Sequence, residues 1–520
     1  MRQYAAACSA DLGARSLTAV ITEIGRKLRA STSAFCQDTS GVILPYVTTL
    51  LVVIVGTSVL ALDGARYMSL QTQLQKGADA LALAGAKELN QKSDSITRAT
   101  NAINSLVTNA TLYGTGGAAN VQVSNIRFLS SLPASDNTDI SAGNVTTVAR
   151  QAKFVEVTVT PVSLTTILPA TFFGGTNTTT AGARAVAGFP NEVACDFPPV
   201  FICNPWETAG MSDDAATDAL DAALNNPAEL RKQFRLDQNK TAGPGHFGFL
   251  IPPDGCTGAN CLGDWISRTN AKACYSKAGV DLNMGMKTSL NAAFNVRFDI
   301  PSGSYTPGPN YAPDVNVRKG HVWPKTGAKN WCNAQLWSLS SAVDPKCSTN
   351  NAPGTHPMPL PPDTFSGSAI QGNGVWNCAS YWINGHTSGA PTGCTAAPTI
   401  SRYQVYQYEI DNGLVGQSSQ YAQPACPVAQ RETGNPMCAG TSVGLPNRRN
   451  IVVPVINCLA QAALLTGGST ANNVPVAEFG KFFITQPVGD DGTNFVYGEF
   501  TGIASRRDGI RILDQVQLYR

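Results

Sequence analysis

The hydropathy pattern of the chain has one dominant break near its start. Between Asp38 and Asp63 no side chain is charged, and the 22-residue run Gly41–Leu62 (GVILPYVTTLLVVIVGTSVLAL) is uninterrupted. As a helix, a run of this length spans a hydrocarbon core of about 30 Å, whereas a buried core helix seldom goes so far without a charge. A transmembrane helix is predicted over 41–62, with Pro45 in the first turn, where its missing N–H costs little.

After Asp63 the pattern becomes one-sided. Tyr67, Leu70, Leu74, Ala78, Leu81, Ala82, Gly85 and Leu89 recur at the helical spacing, so the membrane helix is expected to continue outward, unbroken from about 42 to 91. A second helix is predicted from about 94 to 110 on Ile96, Ala99, Ile103, Leu106 and Ala110, with Ser93 as its cap. Beyond Gly114-Thr-Gly-Gly117 the period falls to two. Val121–Phe128 and Phe154–Thr160 read as strands around a turn at 133–146, followed by an apolar segment Leu164–Phe173 and a third strand near Ala181–Phe189. This is an α+β arrangement, with a helical stem that buries one face against a small sheet.

From residue 190 the long periods disappear. Helices are predicted near 212–224, 264–278 and 450–464, and strands near Phe247–Ile251, Tyr403–Ile410, Phe479–Ile484 and Asn494–Phe500, between Gly/Pro/Asn/Ser-rich stretches such as 301–314 and 349–375. The fold class expected for the whole chain is α+β. Its parts are an N-terminal segment 1–40, the transmembrane helix 41–62, a helical stem and small sheet 63–189, and an irregular, disulfide-rich α+β domain 190–520.

Composition narrows the function. The 520 residues allow roughly two to four domains. With 37 Lys+Arg against 35 Asp+Glu the net charge is +2, and no basic stripe occurs, so a nucleic-acid partner is not expected. Arg26, Lys27 and Arg29 precede the span, while Asp63, Arg66, Lys76 and Asp79 after it balance, which favours a cytoplasmic N-terminus. Cysteines agree with that orientation. Cys8 and Cys36 precede the span; Cys195, Cys203, Cys256, Cys261, Cys274, Cys332, Cys347, Cys378, Cys394, Cys426, Cys438 and Cys458 follow it as an even set, suited to about six disulfides in an oxidising compartment. A removable signal peptide is the rival reading. Some 40 residues ahead of the run and the weak site Leu62-Asp-Gly-Ala65 speak against it.

Three groups of residues carry a family resemblance: Gly41-Val-Ile-Leu-Pro45 opening the span, Asp63-Gly64-Ala-Arg-Tyr67 at its exit, and Leu74-Gln-Lys-Gly-Ala-Asp79-Ala-Leu-Ala-Leu-Ala-Gly85-Ala86 beyond. Together they resemble the TadG family of Flp (tight-adherence) type IVb pilus assembly. Ile167–Phe173 followed by Ala183–Gly188 is similar to the end of that family's pilin-like module, and Phe201–Glu207, Ile451–Cys458 and Tyr497–Phe500 are similar to its longer members. The resemblance implies an inner-membrane protein with a periplasmic bulk, whose partners are the lipid bilayer, pilus-assembly membrane proteins and pseudopilins. Two departures matter. Where prepilins carry Glu five residues after the processing Gly, this chain has Tyr46; and Asp139-Ile-Ser-Ala-Gly143 lacks the second Ser of a von Willebrand A metal site.

Candidate chemistry is sparse. Gly440-Thr-Ser442-Val-Gly444 matches a nucleophile elbow, but Cys438 before it and Leu445-Pro446-Asn447 after it favour a loop. Cys256, Cys261 and Cys274 with His246 imitate a zinc set, for which disulfides are the commoner outcome outside the cytoplasm. Glycine signatures for phosphate are missing, and neither a cofactor nor a metal is expected. Trp323, Trp331, Trp337, Trp376 and Trp382, with His321, His356 and His386, form either a stacking platform for sugars or, more commonly, core. Asp79 is expected to pair with Lys76 or face solvent. The small-residue stripe Ala78, Ala82, Gly85, Ala86 suits a partner helix or the protein's own sheet equally. The leading expectation is a non-catalytic, membrane-anchored pilus-assembly component. The alternative is an envelope-anchored glycan- or protein-binding adhesion module.

Overall fold

The computed structural model describes residues 43–519 apart from 107–109, 115–116, 136, 168–170, 172–174, 189–191, 239–241, 286, 302–303, 320–358, 388, 418–432, 467–468, 489–494, 506–507, 509–510 and 514–515. Gly41, His321, Trp323, Trp331, Cys332, Trp337, Cys347, His356 and Cys426 therefore lie outside the described residues.

Helix α1 runs unbroken over Ile43–Lys87, 45 residues and about 67 Å, and it has two environments. Its first half is exposed all round, with Leu50, Leu51, Val52 and Leu60 each at least 60% accessible. Its second half buries Leu70, Leu74, Ala78, Leu81, Ala82 and Ala86. The change follows the sequence, from an all-round apolar surface suited to lipid to a single apolar stripe suited to a protein core.

Helix α2 covers Ser95–Ser105, with Asp94 and not Ser93 at its N-cap. It stops short of the expected 110 because Ile103 is its last apolar residue with a buried partner. Leu106 is exposed, and Ala110 instead opens a hairpin of β1 (Ala110–Gly114) and β2 (Gly117–Asn120). Gly114 and Gly117 of the Gly-rich string pair with each other across that hairpin. Next come β3 (Val123–Leu129) and β4 (Phe154–Val159), a hairpin of β5 (Val162–Thr165) and β6 (Thr178–Ala181), and β7 (Arg184–Gly188). Strands β3, β4 and β7 form an antiparallel sheet, and Gln517–Leu518 at the far end of the chain pairs with β7 as its fourth strand. Val155, Val157 and Val159 alternate toward α1, and Glu156, pointing away, is buried with Arg127 and Arg184 as ion partners.

Gly85 sits where α1 and α2 cross. A Cβ there would lie 2.6 Å from Ile103 Cδ1. The small-residue stripe thus serves close packing inside the protein, and Gly85→Leu is expected to cost the stem about 3 kcal/mol through overpacking. A thermal melt of the full chain in detergent checks this; a wild-type melting temperature would refute it.

The C-terminal region is built on an eight-stranded sheet. In chain order its strands are β9 (Val200–Cys203), β10 (Gln233–Leu236), β11 (Phe247–Leu250), β13 (Val280–Asn283), β14 (Asn450–Ile456), β15 (Thr470–Val474), β16 (Glu478–Ile484) and β17 (Val496–Ile503). The spatial order is β10-β17-β16-β14-β9-β11-β13-β15, antiparallel except for the central β9–β14 pair. Both faces are covered. Ile451, Val453 and Val455 of β14 enter one core, while Val452 and Ile456 enter the other. A three-stranded sheet, β8 (Val193–Cys195) between β12 (Cys274–Ser276) and β18 (Arg511–Leu513), lies beside it.

Three predicted elements are corrected. Residues 450–464 hold strand β14, a turn and a four-residue helix at Ala462–Leu465; buried on both faces, the strand shows no alternation. Residues 264–278 split into a helix over Ala259–Ser267 and β12. Tyr403–Ile410, read as a strand, belongs to a helix over Arg402–Asp411. Its capping box joins Ser401 and Gln404, and its buried residues Arg402, Val405, Tyr406 and Glu409 keep the helical spacing. The helix over Asp213–Leu224 and strands β11, β16 and β17 stand as read.

Among the described cysteines the disulfides are Cys195–Cys274, Cys203–Cys458, Cys256–Cys261 and Cys378–Cys394, and Cys438 is disulfide-bonded as well. Cys203–Cys458 ties the end of β9 to the turn after β14 across 255 residues of sequence.

Candidate functional site

The apolar half of α1 is the site with the plainest physical meaning. Among the described residues nothing covers its exposed Ile, Leu and Val side chains, while Thr48, Thr49, Thr57 and Ser58 turn their hydroxyls back to carbonyls of the preceding turn. A lipid-facing helix needs both features, since no unpaired polar group is left for the bilayer. Among the described residues this is the helix long and apolar enough to cross a membrane. Pro45 lies in its first turn.

A clasp sits where the helix leaves that apolar stretch. Asp63, only 8% exposed, accepts the Ile167 N–H on both carboxylate oxygens at 2.9 Å and pairs with Arg66 at 3.4 Å. Arg66 also donates to the Thr165 carbonyl at 3.2 Å. The Asp63-Gly-Ala-Arg66 string thus holds the end of β5 against the helix. Gly64, on the open side, has nothing within 4 Å of where a Cβ would stand. Further along, half-exposed Asp79 accepts from Gln75 at 2.8 Å, and Gln75 also donates to the Arg184 carbonyl.

The third part is the junction between stem and C-terminal head. Lys92, in the link between α1 and α2, reaches Asp221 at 2.7 Å and pairs with Glu478 at the start of β16. Lys277 meets the same Glu478 at 3.2 Å and Glu192 at 3.7 Å. Arg150 pairs with Asp218, and with Asp221 at 3.1 Å. Against the opposing cost of burial, Lys277 and Lys92 hold the Glu478 carboxyl down at about 2. Burial lowers Lys92, but Glu478 and Asp221 outweigh it and raise its pKa.

Other predicted groups have structural surroundings. Trp376 and Trp382 are 2% and 4% exposed, so neither offers a stacking face. Trp382 stacks on buried His386 at 4.0 Å, whose Nε2 lies 2.6 Å from Glu409. Ser442 is exposed in a turn between loops, without the strand before and helix after that an elbow requires. Cys256, Cys261 and Cys274 are spent in disulfides and are unavailable as thiolate ligands beside Asp254 or His246.

Sequence reasoning missed the junction and a second buried set, Arg402 with Asp363 and Glu499. The one local sign was a lone acid among aromatics, as in Glu478-Phe-Gly-Lys-Phe-Phe and Gly498-Glu-Phe500.

The stretch carrying the span, the clasp and the stem face can be compared with known families. Residues 41–88 match the Tad family, Flp pilus-assembly TadE/G-like. The match covers the whole of α1 and leaves the sheet and the head outside it. No curated protein and no solved structure matches the chain. The TadE/G-like segment is thus the apolar, membrane-spanning half of α1 together with its packed second half, in a protein of mixed helix and sheet with disulfides in its C-terminal region.

Proposed function

We propose that the chain is a non-catalytic component of Flp pilus assembly, anchored in the bacterial inner membrane by Ile43–Leu62, with its N-terminus cytoplasmic and its head in the periplasm. The observation that carries this reading is the coincidence of the family match, residues 41–88, with the long apolar helix Ile43–Lys87. The disulfides of the head support an oxidising compartment. In this reading α1 meets pseudopilins and assembly proteins within the bilayer, and the ion-paired junction fixes the head above them. The adhesion alternative gains nothing from Trp376 and Trp382, the two platform candidates among the described residues, both buried.

The test is surface pilin in a clean deletion strain. Deletion is expected to reduce surface pilin to background, and the full chain to restore it. Unchanged pilin would overturn the reading. Truncation at residue 189 is a poor second arm, because it strips Gln517–Leu518 from β7 and Tyr519 from Phe154, whose rings stand 5.1 Å apart. Replacing Ile43–Leu62 by an unrelated apolar span is the better one; full pilin export by that chimera would confine the role of the helix to anchoring.

A further inference from the structure

The head contains a polar cleft of about 430 Å³, between the turn after β8, the start of β14 and the first turn of the Arg402–Asp411 helix. Its size is that of small-molecule sites, which run from about 300 to 1,000 Å³. Three cations, Arg297, Arg448 and Lys481, line it against two carboxylates, Asp196 and Asp508. Both carboxylates are engaged, Asp508 with Lys481 at 2.9 Å and Asp196 with Arg511 at 2.6 Å.

Among the described residues neither Arg297 nor Arg448 has a carboxylate at ion-pair distance. Arg448 spends its guanidinium on the carbonyls of Ala312, Ser267 and Thr269. Arg297, 1% exposed, donates to the Ile266 carbonyl at 2.8 Å, and its Nε and Nη1 are buried with no acceptor. Carbonyl dipoles orient a guanidinium without neutralising it. Burial pushes Arg448 down to about 10, and burial with repulsion from Arg448 pushes Arg297 well below its ordinary value. The buried Asp314 carboxylate offsets part of this burial cost for both, but neither guanidinium has a direct ion pair among the described residues, and an anion placed in the open cleft lowers the cost further.

The remaining wall is neutral and hydrogen-bonding, with Thr269, Tyr403, Asn447 and Asn450 facing the same space. A bare inorganic anion would leave most of the volume to water. We propose that this cleft binds a sugar-sized, hydroxylated molecule carrying one oxyanion, a carboxylate or a phosphate. The oxyanion lies toward Arg448 and Lys481, and the hydroxyls meet the amides and the phenol. The inference stands on the cleft alone and is independent of the pilus reading.

Calorimetric titration of the full chain in detergent at low salt tests it, with D-glucuronate, glucose 6-phosphate, D-glucose and inorganic phosphate as probes. Binding of glucuronate or glucose 6-phosphate, with glucose silent, is expected, and the better of the two names the oxyanion. Two rim variants move the affinity in opposite directions. Lys481→Gln removes a cation and unpairs Asp508, weakening binding about tenfold, whereas Asp508→Asn frees Lys481 and tightens it several-fold. Silence of both anionic sugars, equal binding of glucose, phosphate binding as tightly as either sugar, or indifference to both variants overturns the proposal.

Discussion

Arg402→Met is expected to destabilise the head by on the order of 5 kcal/mol. Arg402, Asp363 and Glu499 have fully buried side chains, and the arginine meets each acid at 2.6 Å. Its Nε donates to the Pro361 carbonyl at 2.8 Å, and its guanidinium lies 4.9 Å from the centre of the Trp376 ring. Asp363 also accepts the N–H groups of Gln233 and Gly374, and Glu499 those of Arg402 and Tyr403 at the start of their helix. One side chain therefore fastens β10, β17 and the helical layer together. Its removal strands two acids in a dry core. Loss of near-ultraviolet circular dichroism, or a melting temperature lowered well below wild type, is the expected reading; an unchanged melt would refute the role. Arg402→Lys keeps the charge without the fork and should fall between.

The same cluster has a pH signature. Burial pushes the Glu499 carboxyl up to about 7, with Arg402 shared between two acids and unable to reverse it. A carboxyl whose folded pKa lies above its unfolded value, near 4.5, contributes stability that is complete below 4.5 and is lost as the pH rises through 7. Glu499→Gln should flatten the decline of head stability between about pH 4.5 and pH 7, measured by melting across that range.

How far these features are legible in sequence depends on which physics writes them. The membrane helix and stem are local, because lipid demands an uncharged run and the sheet demands a single stripe, and both are continuous patterns in α1. Strand β14 is different. Ile451, Val453 and Val455 face one core and Val452 and Ile456 the other, so alternation vanishes, and the apolar tail to Leu465 imitates a helix. In Tyr403–Ile410 the run Tyr406, Tyr408 and Ile410 alternates like a strand, and only the Ser401–Gln404 capping box betrays the helix. The junction is illegible for a deeper reason. Lys92 finds Asp221 and Glu478 at separations of 129 and 386 residues, and no local rule joins charges that far apart.

That junction supplies the second large effect. Glu478 is 2% exposed and holds two lysines, one from the stem and one from the head. Because Lys277 and Lys92 outweigh burial and keep its carboxyl near 2, its contribution is present above about 4.5 and is lost as the pH falls toward 2. The depression corresponds to on the order of 3 kcal/mol. Glu478→Gln should forfeit that amount at neutral pH and remove the matching acid-induced loosening between pH 5 and pH 2, followed by melting or by proteolysis near the α1–α2 link. Asp221→Asn is the contrasting variant. Asp221 is partly exposed and its cations keep other partners, Lys92 with Glu478 and Arg150 with Asp218, so solvent screening leaves a smaller loss. If both variants melt like wild type, the stem and head are joined by something other than these charges. If Glu478→Gln loosens the junction, its effect on surface pilin separates two uses of the head. Lost pilin at unchanged protein level means the head must be held rigidly above the membrane helix. Retained pilin means that the anchored stem is sufficient for export.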